Sequence, residues 1–255
     1  MKLRLTIAYD GSAFKGWQSQ PFGHTVQDVL EDAFRRITGG RVVVHGSGRT
    51  DTGVHALAQV AHVVVPDRFP PGEWLRILNF NLPPTIRIMT CRPAPPEFHA
   101  RFSARGKVYR YVIRNREVIL PHEINRVWMI PEKLDRTLLR AAAAIFVGRH
   151  DFRGFGSNRK APDRTVRTIF RIQVTERGSL LQLTFHGEGF LYRMVRMLTG
   201  SIVRVARGQD QLATVERRLH EPGPPEWEQV APACGLHLVR VVYDEKQAAR
   251  SLNED

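Results

Sequence analysis

The sequence predicts an α+β fold of two ferredoxin-like halves, each a mainly antiparallel sheet carrying helices. Three observations predict it. Short segments of period-two alternation are interleaved with segments of helical period along the whole chain. The first half reads strand, helix, strand, strand, helix, strand, and the second half echoes that order loosely, without any residue-level repeat. Between them stands the cluster Arg92-Pro93-Ala94-Pro95-Pro96, where proline withdraws both a ladder donor and helix continuity.

In order, Lys2–Tyr9 sets Leu3, Leu5 and Ile7 against Lys2, Arg4 and Thr6, the pattern of a half-buried strand. Thr25 is placed to N-cap a helix over 25–37, with Val26, Val29, Leu30, Ala33, Phe34 and Ile37 at helical spacing, and Gly39-Gly40 stops it. Residues 41–44 and 58–65 read as strands flanking the loop 46–53, 73–80 as a short helix and 85–90 as a strand. In the second half the expectations are a strand at 107–113, a helix at 132–147, strands at 165–175 and 179–186, and a helix at 190–206. The expected organisation is therefore 1–104, an α+β half carrying a Gly-Arg-Thr-Asp loop; 105–245, an α+β half with a basic helix and an RNA-contacting surface; and 246–255, a polar tail. A second proline cluster, Glu221-Pro222-Gly223-Pro224-Pro225, punctuates the later half.

The 255 residues can bury a sizeable core without staples, and two cysteines, Cys91 and Cys234, exclude a disulfide framework or a cysteine-based metal knuckle. The segment Met1-Lys2-Leu3-Arg4 runs into charged alternation with no signal-peptide apolar region, and no apolar run approaches a membrane span, so the expected location is cytoplasmic. Charge is more informative. Thirty-eight basic against twenty-five acidic residues leave +13, and only six of the basic residues are lysine. The arginine excess is clustered: 149–218 holds fourteen basic and six acidic residues. Guanidinium forks bind phosphate bidentately and stack on bases, so the pattern fits a structured polyanion as partner.

Three segments carry candidate chemistry. Gly46-Ser47-Gly48-Arg49-Thr50-Asp51-Thr52-Gly53-Val54-His55-Ala56 sets an arginine, a carboxylate and hydroxyls among three glycines that admit positive backbone angles and close ligand approach. A phosphate-cradling loop needs lysine and then Ser or Thr after its last glycine; Val54 and His55 stand there instead. A lone carboxylate kept ionised by a neighbouring arginine suits nucleophilic or base chemistry and not a paired-acid design. A polar turn with Asp51 capping a backbone amide would use the same letters. The second segment, 105–114, places Lys107, Tyr109, Tyr111 and Ile113 on one face of a strand, either as a base-stacking platform or as tyrosines packed under a helix. The third, 189–207, sets Leu191, Met194, Val195, Leu198, Ile202 and Val205 on one helical face with Arg193, Arg196, Arg204 and Arg207 opposite, which is either a cationic binding face or a solvated one. His45, His55 and His62 lack metal-ligand spacing, and the loop around Arg153, Arg159, Lys160 and Arg164 is a further candidate for RNA contact.

Taken together, these segments resemble the tRNA pseudouridine synthase A family. The resemblance is carried by Tyr9-Asp10-Gly11 with Phe14, Gly16, Trp17 and Gln18, and by Gly48-Arg49-Thr50-Asp51-Thr52-Gly53-Val54-His55-Ala56. It continues through Lys107-Val108-Tyr109-Arg110-Tyr111, Asp151-Phe152 with Phe155, Phe190-Leu191 with Met194-Val195-Arg196 and Gly200, and Ala231-Pro232-Ala233 with Gly235-Leu236. These six motifs occur in order over nearly the whole chain. Tyr192-Arg193 departs from the histidines of many relatives, at a place that touches RNA contact and not the chemistry.

The resemblance implies two halves whose sheets form a central mixed sheet flanked by helices, with a catalytic cleft between the halves, in a homodimer. It implies an isomerase that converts uridine to pseudouridine at positions 38, 39 and 40 of the tRNA anticodon stem-loop, detaching uracil at N1 and rejoining it through C5, with no cofactor and no metal. Asp51 would be the catalytic carboxylate, acting by attack on the sugar, by addition to the uracil ring or by removal of a sugar proton. Arg196 would pair with Asp51 and keep it charged, and Arg49 would extrude or hold the target nucleotide. Tyr109 would contact the flipped uracil, and Gly235 and Leu236 would line its pocket. The competing expectation is a non-catalytic RNA-binding or chaperone protein, in which Asp51 is dispensable. A carboxylate-dependent hydrolase of a small anionic substrate would need a phosphate loop or metal cluster that the sequence lacks.

Overall fold

The computed structural model describes residues 1–156, 164–224 and 230–244. Two units are distinguished, Met1–Arg105 with His237–Tyr243, and a second built on Gly106–Leu236. Arg159, Lys160, Pro225 and the polar tail 246–255 lie outside the described residues.

In the first unit the N-terminal alternation becomes β1 (Lys2–Tyr9), with Leu3, Leu5, Ile7 and Tyr9 turned into the core. Helix α1 (Val26–Thr38) begins as its sequence demands. Thr25 accepts from the Asp28 amide, the Asp28 side chain closes a capping box, and Gly39 ends the helix in the left-handed region at φ 75°. Its Val26, Leu30, Ala33 and Phe34 are buried, and the Phe34 ring meets Trp74 of α2 (Pro71–Asn81) at 5.8 Å. β1 lies antiparallel between β3 (His55–Val64) and β4 (Ile86–Pro93). The short β2 (His45–Gly46) and β10 (Leu236–Val242) share the other edge of β3, β2 antiparallel and β10 parallel to it. β10 thus completes the first unit, a return that two consecutive halves do not contain.

Residues 41–44 are not a strand, contrary to expectation. Val42 and Val44 are buried in alternation, but the Val44 amide is satisfied by the Glu31 side chain at 3.0 Å and not by a ladder partner. Burial pattern and hydrogen-bond pattern separate here.

The second unit is an antiparallel sheet in the order β5 (Gly106–Arg114), β9 (Leu180–Gly187), β8 (Val166–Arg177), β7 (Gly148–Asp151), with β6 (Trp128–Met129) parallel on β5. Helix α3 (Arg136–Ile145) is shorter than the expected 132–147 because Asp135 caps it, accepting from the Thr137 and Leu138 amides at 2.8 and 2.9 Å. Helix α4 (Met194–Ala206) starts four residues later than expected, since Arg193 sits at φ 60°, a left-handed residue that no helix accommodates in its interior. Helix α5 (Leu212–His220) is an addition whose buried side chains are only Val215 and Leu219, too few to signal it in the sequence. Phe146 and Phe155 meet edge-on at 5.0 Å in the core of this unit. The fold is α+β with mainly antiparallel pairing, as predicted. Among the described residues no helix is long and apolar enough to cross a membrane.

Candidate active site

The loop after β2 is held from below before it reaches its functional letters. The Ser47 amide donates to Val60 O at 2.7 Å, the Ser47 hydroxyl donates to Gln59 Oε1 at 2.6 Å, and Gln59 Nε2 donates to Gly48 O at 2.9 Å. Thr50 is fixed twice more, its hydroxyl 2.8 Å from the buried Tyr9 hydroxyl and its carbonyl accepting from the Trp17 amide at 3.1 Å. Burial pushes the Tyr9 phenol far above its ordinary range, so it stays a neutral hydrogen-bonding group.

Asp51 follows directly. Its carbonyl accepts from the Val54 amide at 3.1 Å across a turn whose third residue, Gly53, has φ 80°. Gly16, at φ 85°, lies against this backbone: a Cβ there would stand 2.7 Å from Thr50 O and 3.2 Å from Asp51 C and Thr52 N. The approach is open only to glycine. The Asp51 side chain itself is half-buried, on a backbone held at the Thr50 carbonyl and at its own carbonyl. Arg49 is exposed on the same loop, with Nε donating to Gln18 Oε1 at 3.1 Å. His55 is taken up in packing: its Nδ1 accepts from the Gly11 amide at 3.1 Å and its ring stacks on His237 at 4.7 Å.

The other expected site residues belong to the second unit. Tyr111 is fully buried and its hydroxyl donates to Pro232 O at 2.5 Å. Burial, with Cys234 beside it, raises its pKa well above the ordinary phenol. Its ring lies on Gly235, where a Cβ would come within 2.5 Å of Cε1 and 2.9 Å of Val112 O. Arg196 Nε donates to Ala231 O at 2.8 Å while the Ala231 amide donates to Arg196 O at 3.2 Å, a reciprocal clamp. Arg196, Tyr111 and Gly235 are thus assembled through the single segment 231–235, and Leu236, also buried, follows it. Tyr109 is buried with its ring edge-on to Phe190 at 5.4 Å.

One open alternative is decided and one expectation changes. Tyr109 and Tyr111 are not an open stacking platform, because both rings are covered. Nor does α4 split into one apolar and one free cationic face. It is buried nearly all round, Arg207 pairs with Glu132, Arg196 is bonded to Ala231, and the Arg193 guanidinium lies 5.0 Å from the Tyr192 ring centre. Charge counting also overstates the cationic surface of this unit. Glu123 binds both Arg114 and Arg116, and Glu176 binds both Arg136 and Arg140, at 3.0 and 3.4 Å. Burial works against the Glu123 charge, but the bond from Arg114, the Leu120 amide and the Arg116 charge hold its carboxyl below the usual range. Sequence reading assigned no role to Tyr9, Gln59 or Gly16 as supports of the loop. Their partners are remote in sequence, and only the glycine and the amide letters hint at close approach.

Among the described residues no group of three or more His, Cys, Asp or Glu side chains is placed to hold a metal ion. The family model described as "tRNA pseudouridine synthase" matches residues 5–103 and 142–244. A protein of Akkermansia muciniphila named "tRNA pseudouridine synthase A" is 44% identical over 96% of this chain and 96% of its own length. One of the same name from Citrifermentans bemidjiense is 40% identical over 96% of this chain and 98% of its own. A solved structure titled "Crystal Structure of a Cbf5-Nop10-Gar1 Complex" overlaps 79% of this chain and 45% of that one, with TM-score 0.35 and 12% identity.

Proposed function

Because the chain belongs to the tRNA pseudouridine synthase family, we propose that it isomerises uridine to pseudouridine at positions 38, 39 and 40 of the tRNA anticodon stem-loop, with Asp51 as the catalytic carboxylate. The N1–C1′ bond breaks, a C5–C1′ bond forms, the C5 hydrogen leaves as a proton and N1 gains one, so the step calls for neither oxidant nor reductant. A base inside a stem must first be extruded, at an unstacking cost of a few kcal/mol that contacts to the RNA backbone offset. Arg49 extrudes or holds the nucleotide, Tyr109 contacts the flipped uracil, Gly235 and Leu236 line its pocket, and Arg196 is the cation assigned to pair with the Asp51 carboxylate.

The observation that carries this reading is the contrast at Asp51 between a backbone fixed by its Thr50 and Val54 hydrogen bonds and a side chain left half-exposed. A group presented at fixed position to an incoming base is what the reaction needs. The chain works on tRNA as a homodimer in the cytoplasm, and light scattering is expected to give the mass of two chains.

The test is tritium release from C5-labelled uridine in an unmodified anticodon-arm transcript. Asp51→Ala is expected to abolish release while the Kd for tRNA stays near that of the wild-type chain. Residual turnover near wild type would take the catalytic role away from Asp51, and a wild-type chain that bound the transcript without releasing tritium would favour the non-catalytic RNA-binding reading. Arg196→Ala is expected to lower turnover more than affinity, and equal losses contradict its assigned role.

A further inference from the structure

Arginine carries several rotatable bonds, and ordering an unrestrained one on a ligand costs side-chain entropy. Arg49 is exposed on a loop, yet a continuous chain of hydrogen bonds reaches it from α1. Arg49 Nε donates to Gln18 Oε1 at 3.1 Å, and Gln18 Nε2 donates to Gln27 Oε1 at 2.8 Å. Gln27 Nε2 donates to Glu31 Oε1 at 2.8 Å. Two backbone groups brace the chain from the side, the Ser19 amide on Gln27 Oε1 at 3.0 Å and the Val44 amide on Glu31 Oε1 at 3.0 Å.

The direction of every bond is determined. A guanidinium only donates and a carboxylate only accepts, so the two ends fix the orientation of both amides between them. Turning Gln27 over would set its NH2 against the Ser19 N–H and the Gln18 NH2, and its oxygen against Glu31. Turning Gln18 over would set its NH2 against Arg49 and its oxygen against the Gln27 oxygen. Gln27 is buried at 8% exposure, in the first turn of a helix that the Thr25 capping box already pins. We infer that Gln18, Gln27 and Glu31 are a positioning relay for Arg49. It ties Nε to the body of the first unit and leaves Nη1 and Nη2 as the pair of donors that grips an RNA phosphate bidentately. The relay rests on the role proposed for Arg49 above; it adds the residues that orient that side chain and the kind of oxygen it binds.

A double-mutant cycle tests this. Gln27→Met keeps chain length and volume and removes both the acceptor and the donor of the side-chain amide. Gln18→Met does the same one step nearer Arg49, at a less buried position, and serves if Gln27→Met does not fold. Each is made alone and with Arg49→Ala, and the cycle is read on the Kd for an unmodified tRNA transcript and on the single-turnover rate of tritium release. Each Gln→Met variant is expected to lose about tenfold alone and less than about twofold on top of Arg49→Ala, as coupled residues do. Equal losses in both backgrounds would mean that the amides act on the fold and not through Arg49, and would overturn the relay. A wild-type chain that bound the transcript but released no tritium would defeat the pseudouridylation reading instead, while the cycle on Kd still decided the relay.

Discussion

Gly16→Ala isolates the contact that fixes Asp51. Alanine at φ 85° incurs the left-handed penalty, about 1–2 kcal/mol. The added Cβ would also stand 2.7 Å from Thr50 O, a backbone atom with no flexible side chain to swing aside. The Trp17–Thr50 bond of 3.1 Å must lengthen or the turn at 50–52 must shift, and losing one such bond adds about 1 kcal/mol. The sum, about 2–3 kcal/mol, lowers Tm by about 5–10 °C in a chain of this size. The displaced carboxylate is expected to reduce single-turnover tritium release about 10- to 100-fold, since misplacement by about 1 Å carries that penalty in general. Gly39→Ala is the control: it has φ 75° with nothing within 4 Å of the added carbon. It bears the backbone strain alone, so it should lose about 1–2 kcal/mol and keep full activity. If Gly16→Ala behaves like Gly39→Ala in both assays, the close approach does not hold Asp51 and the reasoning fails.

Two further outcomes follow from the packing. Tyr111→Phe leaves Pro232 O without its buried donor and should cost about 1–2 kcal/mol in urea unfolding, whereas Gly235→Ala, pressing on the same ring, should cost more and lower tritium release as well; a neutral Gly235→Ala would remove the steric case for that glycine. Acid sensitivity should be traceable to His62, whose pKa is lowered from 6.5 to about 4 by burial and by the charges of His99, His45 and Lys2. As pH falls the unfolded chain takes up this proton first, so the stabilisation is complete above pH 6.5 and is lost between 6.5 and about 4. Unfolding midpoints measured across that window should fall less steeply for His62→Gln than for wild type, and identical slopes would rule His62 out as the source.

What could be read from the sequence was what neighbouring residues decide. β1 and α1 are legible because alternation, the Thr25–Asp28 capping box and Gly39 all lie within the element they define. The loop 46–53 stands out for the same reason, its glycines being adjacent to the residues they free. Long-range satisfaction was illegible. Residues 41–44 alternate like a strand, yet the Val44 amide bonds a glutamate thirteen positions away on α1. Tyr109 and Tyr111 carry the letters of a stacking platform, and only the arrival of Phe190 and of segment 231–235 turns them inward. Arg193 ends the helical pattern by its φ and not by its side chain, so periodicity ran through it.

The late return of β10 has a consequence for how the molecule comes into being. The first unit ends at Arg105 but needs His237–Tyr243 to finish it. The Arg105 amide donates to Val242 O at 2.8 Å, the Tyr243 hydroxyl donates to Ala100 O at 2.6 Å, and the Arg4 guanidinium lies 4.4 Å from the Tyr243 ring. On the ribosome, roughly 130 residues are made between the two, a delay of about 6–26 s at ordinary elongation speeds. Throughout that interval part of the β3 edge is open to any strand in reach. The nascent chain must therefore wait, unpaired, for its own last strand to emerge, and premature termination anywhere before residue 237 strands the first unit in that condition.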